Sequence, residues 1–574
     1  MTSDFLILGG GSAGCVLAAR LSEDPGNTVT LVEAGRDLTL ETMPDEIRSR
    51  YPGRAYLDTS NIWNSLTARM GFTASNSASS TLPRRYEQAR LLGGGSAINA
   101  LMANRGAPGD YDEWQSLGAA GWSWDNCLPY FRKLENDCNF DGPLHGKNGP
   151  LPIRRLAQDR MSPFVDAVTR TLSANGYPMR PDQNGDWQDG VFVGAVAVSE
   201  NGERVPTSVV YLTSEVRQRP NLRVITGRTV ERLLFEGTRA IGATLLASGS
   251  QPATTLRAIE IIVSAGAIHT PALLLRSGIG PAAELSSLGI PVVAHRPGMG
   301  RNLMEHPSIA VSAFLPPAAR VTDQAEHHEQ CILRFSSELE GTPQGDMHAA
   351  ILSRSGWHSV GMRMGSLFFW VNKSHSRGML TLSSPDARME PSVDFRMLSD
   401  ERDLERLKLA MRLGARTLAD PMMNGFRDTI FPSSYSPRVV KVAAPGLLNA
   451  VQRGALAAML DCAGPLRKTL IHGVVTLGVT LDDLLSDDNA LTAFVRKYVG
   501  GTWHPSGTCR MGGHDNPMAV TSSSGRVYGT QNLRVCDASL MPSIPCANTN
   551  IPTIMIAERI ADLIKAENEQ ILGI

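Results

Sequence analysis

Charge of one sign is what this chain lacks most plainly: its 574 residues carry 55 Lys+Arg against 56 Asp+Glu, a formal net charge of −1. Binding a polyanion needs a basic surplus, so nucleic acid is excluded as the expected partner. Long apolar runs are also missing. No stretch of 18 uncharged apolar residues occurs, which argues against a spanning helix and against membrane association. The opening residues show no basic segment followed by an apolar one, so no secretory signal is expected. The eight cysteines are scattered with no CxxC pair, and the twelve histidines form no HExxH. Disulfide staples and a metal site are therefore not expected, and a reducing, cytoplasmic setting is. Oligomeric state stays open.

Glycine is what the chain has in excess, 54 residues of 574, about 9% against a usual ~7%. Much of it falls in blocks. Phe5–Leu8 reads as a buried strand, and Gly9, Gly11 and Gly14 fit GxGxxG with Ser12 and Ala13 between them. A helical run from Cys15 to Leu21 follows, then a strand, Val29–Val32, ending at Glu33 and Ala34. Gly9 permits the tight turn, Gly11 lets a pyrophosphate touch the backbone, and Gly14 lets the helix pack closely. The helix N-terminus then faces phosphate, and Glu33 is placed to take ribose hydroxyls. Strand, turn, helix, strand and acid together predict a dinucleotide site without separating FAD from NAD.

Three further blocks stand far along the chain: Arg90–Asn99; Gly266–Gly280, after a strand at Ile261–Ser264; and Gly500–Thr508, with Val535–Pro542 and Cys546–Thr553 behind it. Together with Arg301–His306 they resemble the glucose–methanol–choline (GMC) flavoprotein oxidoreductases over nearly the whole chain. Ala89–Asp112 resembles the first family signature and Gly266–Gly280 the second. Glu305 stands where the family's Asn-Leu-x-Asp-His element has Asp. Within the family, Arg105–Trp114 and Phe369–Lys373 are most similar to members that act on furan alcohols.

The resemblance implies an α/β fold, α+β overall. A Rossmann-like FAD-binding domain (1–155, 195–310 and 490–574) would join a substrate domain built on an antiparallel sheet flanked by helices (156–194 and 311–489). FAD would be held by Gly9, Gly11, Ser12, Ala13, Gly14, Glu33, Ala34, Arg90, Gly94, Ser96, Asn99, Ala103, Val230, Ala265, Asp537, Ala538, Asn548, Thr549, Asn550 and Thr553. Some members tether FAD through a His in the first signature; that position is Ile98, so FAD is expected to be non-covalent. His504 would be the catalytic base and Asn548 its partner.

Alcohol oxidation must remove a hydroxyl proton and pass a hydride from the same carbon to flavin N5. A neutral imidazole near its ordinary pKa of about 6.5 suits the first task. The expected substrate is a small, primary aryl or furan alcohol, with O2 or another electron acceptor as the second partner. Alternatives are a quinone-linked or choline-type dehydrogenase, a redox-neutral lyase or photodecarboxylase, and a non-catalytic binder. A choline-type pocket needs a carboxylate or an aromatic cage, and the sequence locates neither.

Trp503, Val371, Trp370 and Phe368 are candidate pocket walls, with Val371 and Trp503 preferred; a strand presents only alternate residues to one face. His269 and His306 are expected to be structural. Residues 435–485 exceed what the family pattern calls for. Leu447, Leu448, Val451, Ala455 and Met459 share one helix face there, flanked by Arg438, Lys441, Arg453, Arg467 and Lys468. A packed lid or a subunit surface is expected in preference to a membrane patch.

Overall fold

The computed structural model describes residues 2–71, 82–323, 326–433 and 443–572. Arg438 and Lys441 lie outside them.

Apolar runs at the start of the chain form strands buried on both faces, which is what a parallel sheet covered by helices requires. Thr2–Leu8 pairs in parallel with Val29–Val32 on one side and Thr254–Val263 on the other. Leu222–Ile225 continues the sheet beyond Val29–Val32, and Arg239–Leu245 and Val230–Glu236 extend it antiparallel beyond Thr254–Val263. The late strand Leu533–Val535 also pairs with Thr254–Val263. The sheet thus draws its strands from both ends of the chain.

The helix Ser12–Leu21 lies against this sheet and against the long helix Asn550–Leu572. Gly9 has φ +109°, and a Cβ on Gly14 would sit 1.9 Å from the Gly9 carbonyl oxygen. Both glycines are therefore fixed by the turn itself. The helix Gly266–Arg276 starts earlier than the run of leucines suggests and contains Pro271. Proline cannot donate to the carbonyl four residues back. That carbonyl, on Ala267, accepts instead from the Thr508 hydroxyl at 2.7 Å.

A second large sheet runs Ile430–Ser433, Ser308–Phe314, Met364–Val371, Met347–Leu352, Glu329–Phe335, Gly190–Val193 and Met179–Arg180, antiparallel except at its last pair. The amphipathic helix Glu401–Ala419 packs on it. A five-stranded sheet mixes Thr67–Gly71 and Arg84–Arg85 with Arg301–Leu303, Gly378–Thr381 and Ser392–Met397.

The helix Leu447–Cys462 exists as the sequence suggests, but its expected apolar face points outward. Leu447, Leu448, Val451 and Met459 are exposed, the first by 89%. The opposite side packs instead, with Ala457 and Leu460 against Phe314, Val360, Met364, Phe431 and Ile471. Among the described residues nothing covers that face; the preceding Ala443–Pro445 stretch reaches the wall of the large cavity described below.

Candidate active site

A cavity of about 2180 Å³ runs between the first sheet's glycine turns and the second sheet. Gly9, Gly11, Ser12, Ala13, Glu33, Ala34, Arg90, Gly94, Asn99, Val230, Ala265, Asp537, Ala538, Asn548, Thr549, Asn550 and Thr553 all line it. Gly14, Ser96 and Ala103 do not appear in its wall. Gly14 is spent on the turn, Ser96 hydrogen-bonds Gly93 and Thr207, and Ala103 pairs through its backbone with Ala195.

Several lining residues hold the walls as well as face the space. Glu33 accepts from the Gly10 and Gly35 amides at 2.8 and 2.7 Å, which pins the first glycine turn. Asp537 accepts from the Gly266 amide, the Thr270 hydroxyl and the Ser539 amide, joining the start of one helix to the turn after Val535. Asn550 accepts from Ser12 at 2.7 Å. Asn99 accepts from Arg204, a buried guanidinium that also bonds the Ile47, Ser96 and Asn99 carbonyls. Arg204 was not singled out in the sequence, because nothing local marks it.

Room for a long cofactor is visible in the glycines. A Cβ on Gly95 or Gly266 would meet no protein atom within 4 Å, and one on Gly11 nothing closer than 3.9 Å. The backbone here borders space that the protein does not fill. A phosphate-bearing dinucleotide fits such a donor-rich, glycine-lined trough.

At the far end stands His504, buried, after Trp503 at φ +60°. Glu305 sets this turn: its carboxylate accepts from the His504 amide (2.9 Å to each oxygen), the His306 amide (2.8 Å), Thr502 and Tyr86. The carboxylate is thus used on backbone and does not touch the imidazole. His504 Nε2 lies 3.1 Å from Asn548 Nδ2, and His504 Nδ1 lies 2.9 Å from His306 Nδ1 and 2.7 Å from Thr502 Oγ1.

These contacts decide the tautomer. Burial, reinforced by His504, holds His306 far below the ordinary histidine range, so it is neutral. Its Nε2 faces the Pro545 carbonyl at 3.2 Å and must carry the proton, which leaves Nδ1 an acceptor. His504 must then donate from Nδ1. Its Nε2 lone pair is left facing the Asn548 amide and the cavity. Burial pushes the His504 pKa down to about 3, below the ordinary value expected from sequence. His306, expected to be structural, touches the His504 ring directly. His269 bonds Glu390 at 2.9 Å on the cavity wall.

Among the pocket candidates, Trp370, Phe368 and Trp503 line the cavity, while Val371 is fully buried and does not. Strand alternation is the reason. Phe368 and Trp370 share one face, and Phe369 and Val371 the other, where Phe369 meets the helix at Gly414. Trp503 is 42% exposed, its indole donating to Glu87 at 3.1 Å.

Away from the cavity, Glu135, Asp137 and His145 come close enough to hold an ion, and all three are buried. Their atoms are already engaged: Arg105 bonds Glu135, Arg155 bonds Asp137, and His145 bonds Glu135 and Asp182. Three carboxylates face two guanidiniums and one imidazole. Burial opposes the charge on His145, but bonds to Asp137, Asp182 and Glu135 outweigh it and raise its pKa to about 10.

The GMC oxidoreductase family matches residues 3–308 with its N-terminal part and 374–557 with its C-terminal part. The chain is 42% identical to 5-(hydroxymethyl)furfural oxidase of Methylovorus sp. (strain MP688), covering 98% of each. It is 32% identical to mitochondrial choline dehydrogenase of Mus musculus, covering 98% of this chain and 89% of the relative. The solved structure of pyridoxine 4-oxidase from Mesorbium loti superposes with a TM-score of 0.80 at 27% identity, covering 98% of this chain and 99% of that one. The chain belongs to the GMC oxidoreductases, FAD-dependent enzymes acting on CH–OH donors.

Proposed function

We propose that the protein oxidises primary alcohols of the aryl or furan type to aldehydes, with His504 as base and Asn548 as its partner. The observation that carries this reading is the His504 Nε2 lone pair, fixed by His306 and Thr502, at the end of the cavity. An alcohol hydroxyl placed there gives its proton to Nε2. The Asn548 amide orients the substrate oxygen, and its Oδ1, buried with no partner among the described residues, is free to meet a second donor. Phe368, Trp370 and Trp503 offer flat apolar contacts to an aromatic ring and exclude water from it. FAD bound in the trough supplies the hydride acceptor. The residues that would hold it are Gly9, Gly11, Ser12, Glu33, Gly94, Asn99, Ala538 and Thr553, and the side chain at position 98 is an isoleucine with no nucleophile, which favours non-covalent attachment.

O2 is the proposed final acceptor, reduced to H2O2. The dehydrogenase reading, with a quinone or another acceptor, is kept alive by the 32% identity to choline dehydrogenase. A cytoplasmic setting belongs to the same proposal: all eight cysteines are free thiols, which suits a reducing compartment. Among the described residues no helix is long and apolar enough to cross a membrane.

The test is anaerobic mixing of the FAD-loaded protein with benzylic, furanic, aliphatic and choline-type alcohols, followed at the flavin absorbance. Bleaching by benzylic and furanic alcohols, with stoichiometric peroxide under air, is expected. Bleaching without peroxide would move the protein to the dehydrogenases, and no bleaching by any alcohol would overturn the reading.

A further inference from the structure

Proton removal at His504 leaves Glu329, an ionisable group in the cavity wall, without a task. Glu329 is buried at 7% exposure and lines the cavity, and its Oε1 has no hydrogen-bond partner among the described residues. Strand register fixes which way it points. Phe368 and Trp370 pair with Ala350 and His348, and Glu329 pairs with Leu352 across the next strand, where a bulge between Glu329 and Cys331 turns it to the face of Ala350 and Leu352, on the cavity side of the second sheet. The chain also turns toward the first glycine signature here. His327 lies between two carbonyl oxygens, Nε2 2.9 Å from Ala100 and Nδ1 2.8 Å from Glu329, and Met102, in the cavity wall, packs at Gly194, just after the strand Gly190–Val193 that neighbours Glu329–Phe335.

A carboxyl in an apolar wall with no partner is costly unless something donates to it. Neighbouring charges do not relieve it, and burial alone pushes the Glu329 pKa up to about 8. We propose that Glu329 is a second substrate subsite, which takes a hydrogen-bond donor, a hydroxyl or an amine N–H, carried by the alcohol at the end remote from its reacting carbon.

The sheet sets the shape of that substrate. From Trp370 to Glu329 is ~14 Å along the strands and ~10 Å across two strand spacings, so roughly 17 Å in all. The occupant is elongated and polar at both ends, with its middle on Phe368, Ala350 and Leu352.

This inference rests on the alcohol-oxidising reading, so its test has two parts. The first compares kcat/KM for α,ω-diols, ω-amino alcohols and simple primary alcohols over a series of chain lengths, in wild type, Glu329→Gln and Glu329→Leu. Wild type should prefer one or both bifunctional classes at some length by about tenfold or more. A diol preference kept by Glu329→Gln and lost in Glu329→Leu identifies a hydroxyl. An amine preference lost in both identifies an ammonium group. Ratios equal within about twofold in all three proteins would overturn the subsite and leave Glu329 to an ordered water. The second part is calorimetric binding of alkylamines and alkane diols to the FAD-loaded proteins, with FAD content and melting temperature recorded for each. It needs no turnover, so it reports on Glu329 even if no alcohol bleaches the flavin; binding unaffected by Glu329→Leu would likewise overturn the proposal.

Discussion

Two buried histidine sites in this protein have opposite charge states, and the comparison shows what sets them. His145 is surrounded by carboxylates bonded to its ring, so it stays protonated to about pH 10. His504 also has a neighbouring carboxylate in Glu305, but that carboxylate is bonded to the His504 and His306 backbone amides and to the Thr502 and Tyr86 hydroxyls. Among the described residues the His504 ring meets a neutral histidine, a hydroxyl and an amide. Burial then dominates and keeps it neutral. Proximity of an acid does not charge a histidine; the atoms it bonds do. One arrangement ties structure together, and the other keeps a lone pair ready.

The largest effect should come from removing that lone pair. His504→Ala should retain FAD and lose about 10²–10⁴-fold in flavin reduction by alcohol, read by stopped flow; full-speed reduction would refute its role as base. A smaller kinetic effect should follow from disturbing the tautomer. His306→Leu should slow reduction about tenfold with little change in KM, because Thr502 still accepts from His504 Nδ1. Adding Thr502→Val should bring the rate toward that of His504→Ala. If rates merely track melting temperature across these variants, His306 is a packing residue.

The smallest kinetic effect belongs to the other histidine. His145→Gln should leave reduction nearly unchanged and cost roughly 3 kcal/mol of stability, since it uncouples buried charges. The sign with pH is fixed. The folded pKa lies above the unfolded value of about 6.5, so the histidine's contribution is complete below that value and fades as pH rises through about 10. Denaturation midpoints of wild type and His145→Gln should therefore converge on going from neutral to strongly alkaline pH. A gap that stays constant would break the contrast between the two sites.

Much of the dinucleotide trough was legible because backbone geometry writes it into local sequence. A turn at φ +109° and a 1.9 Å approach at Gly14 leave glycine as the residue that fits, and Glu33 ends the next strand a fixed distance on. His504 and Asn548 were legible through the resemblance of their blocks to a family, and the structure brings them to 3.1 Å. Val371 was misplaced because alternation says that two faces exist without saying which one meets the cavity. The apolar stripe of Leu447–Cys462 was legible as a stripe, but whether it turns inward as a lid or outward was not. Periodicity reports that like residues share a face, whereas what covers that face depends on distant packing.

Sequence by itself determined the glycine turns and the strands and helices beside them, because these depend on neighbours within a few residues. Tertiary structure alone decided the protonation states. His306 and His504 are separated by 198 residues and Arg204 from Asn99 by 105. Among the described residues Glu329 Oε1 has no hydrogen-bond partner where three strands pair beside the cavity. Charge and hydrogen bonding act through space over a few ångströms, and no local pattern in the chain records which distant groups will arrive there.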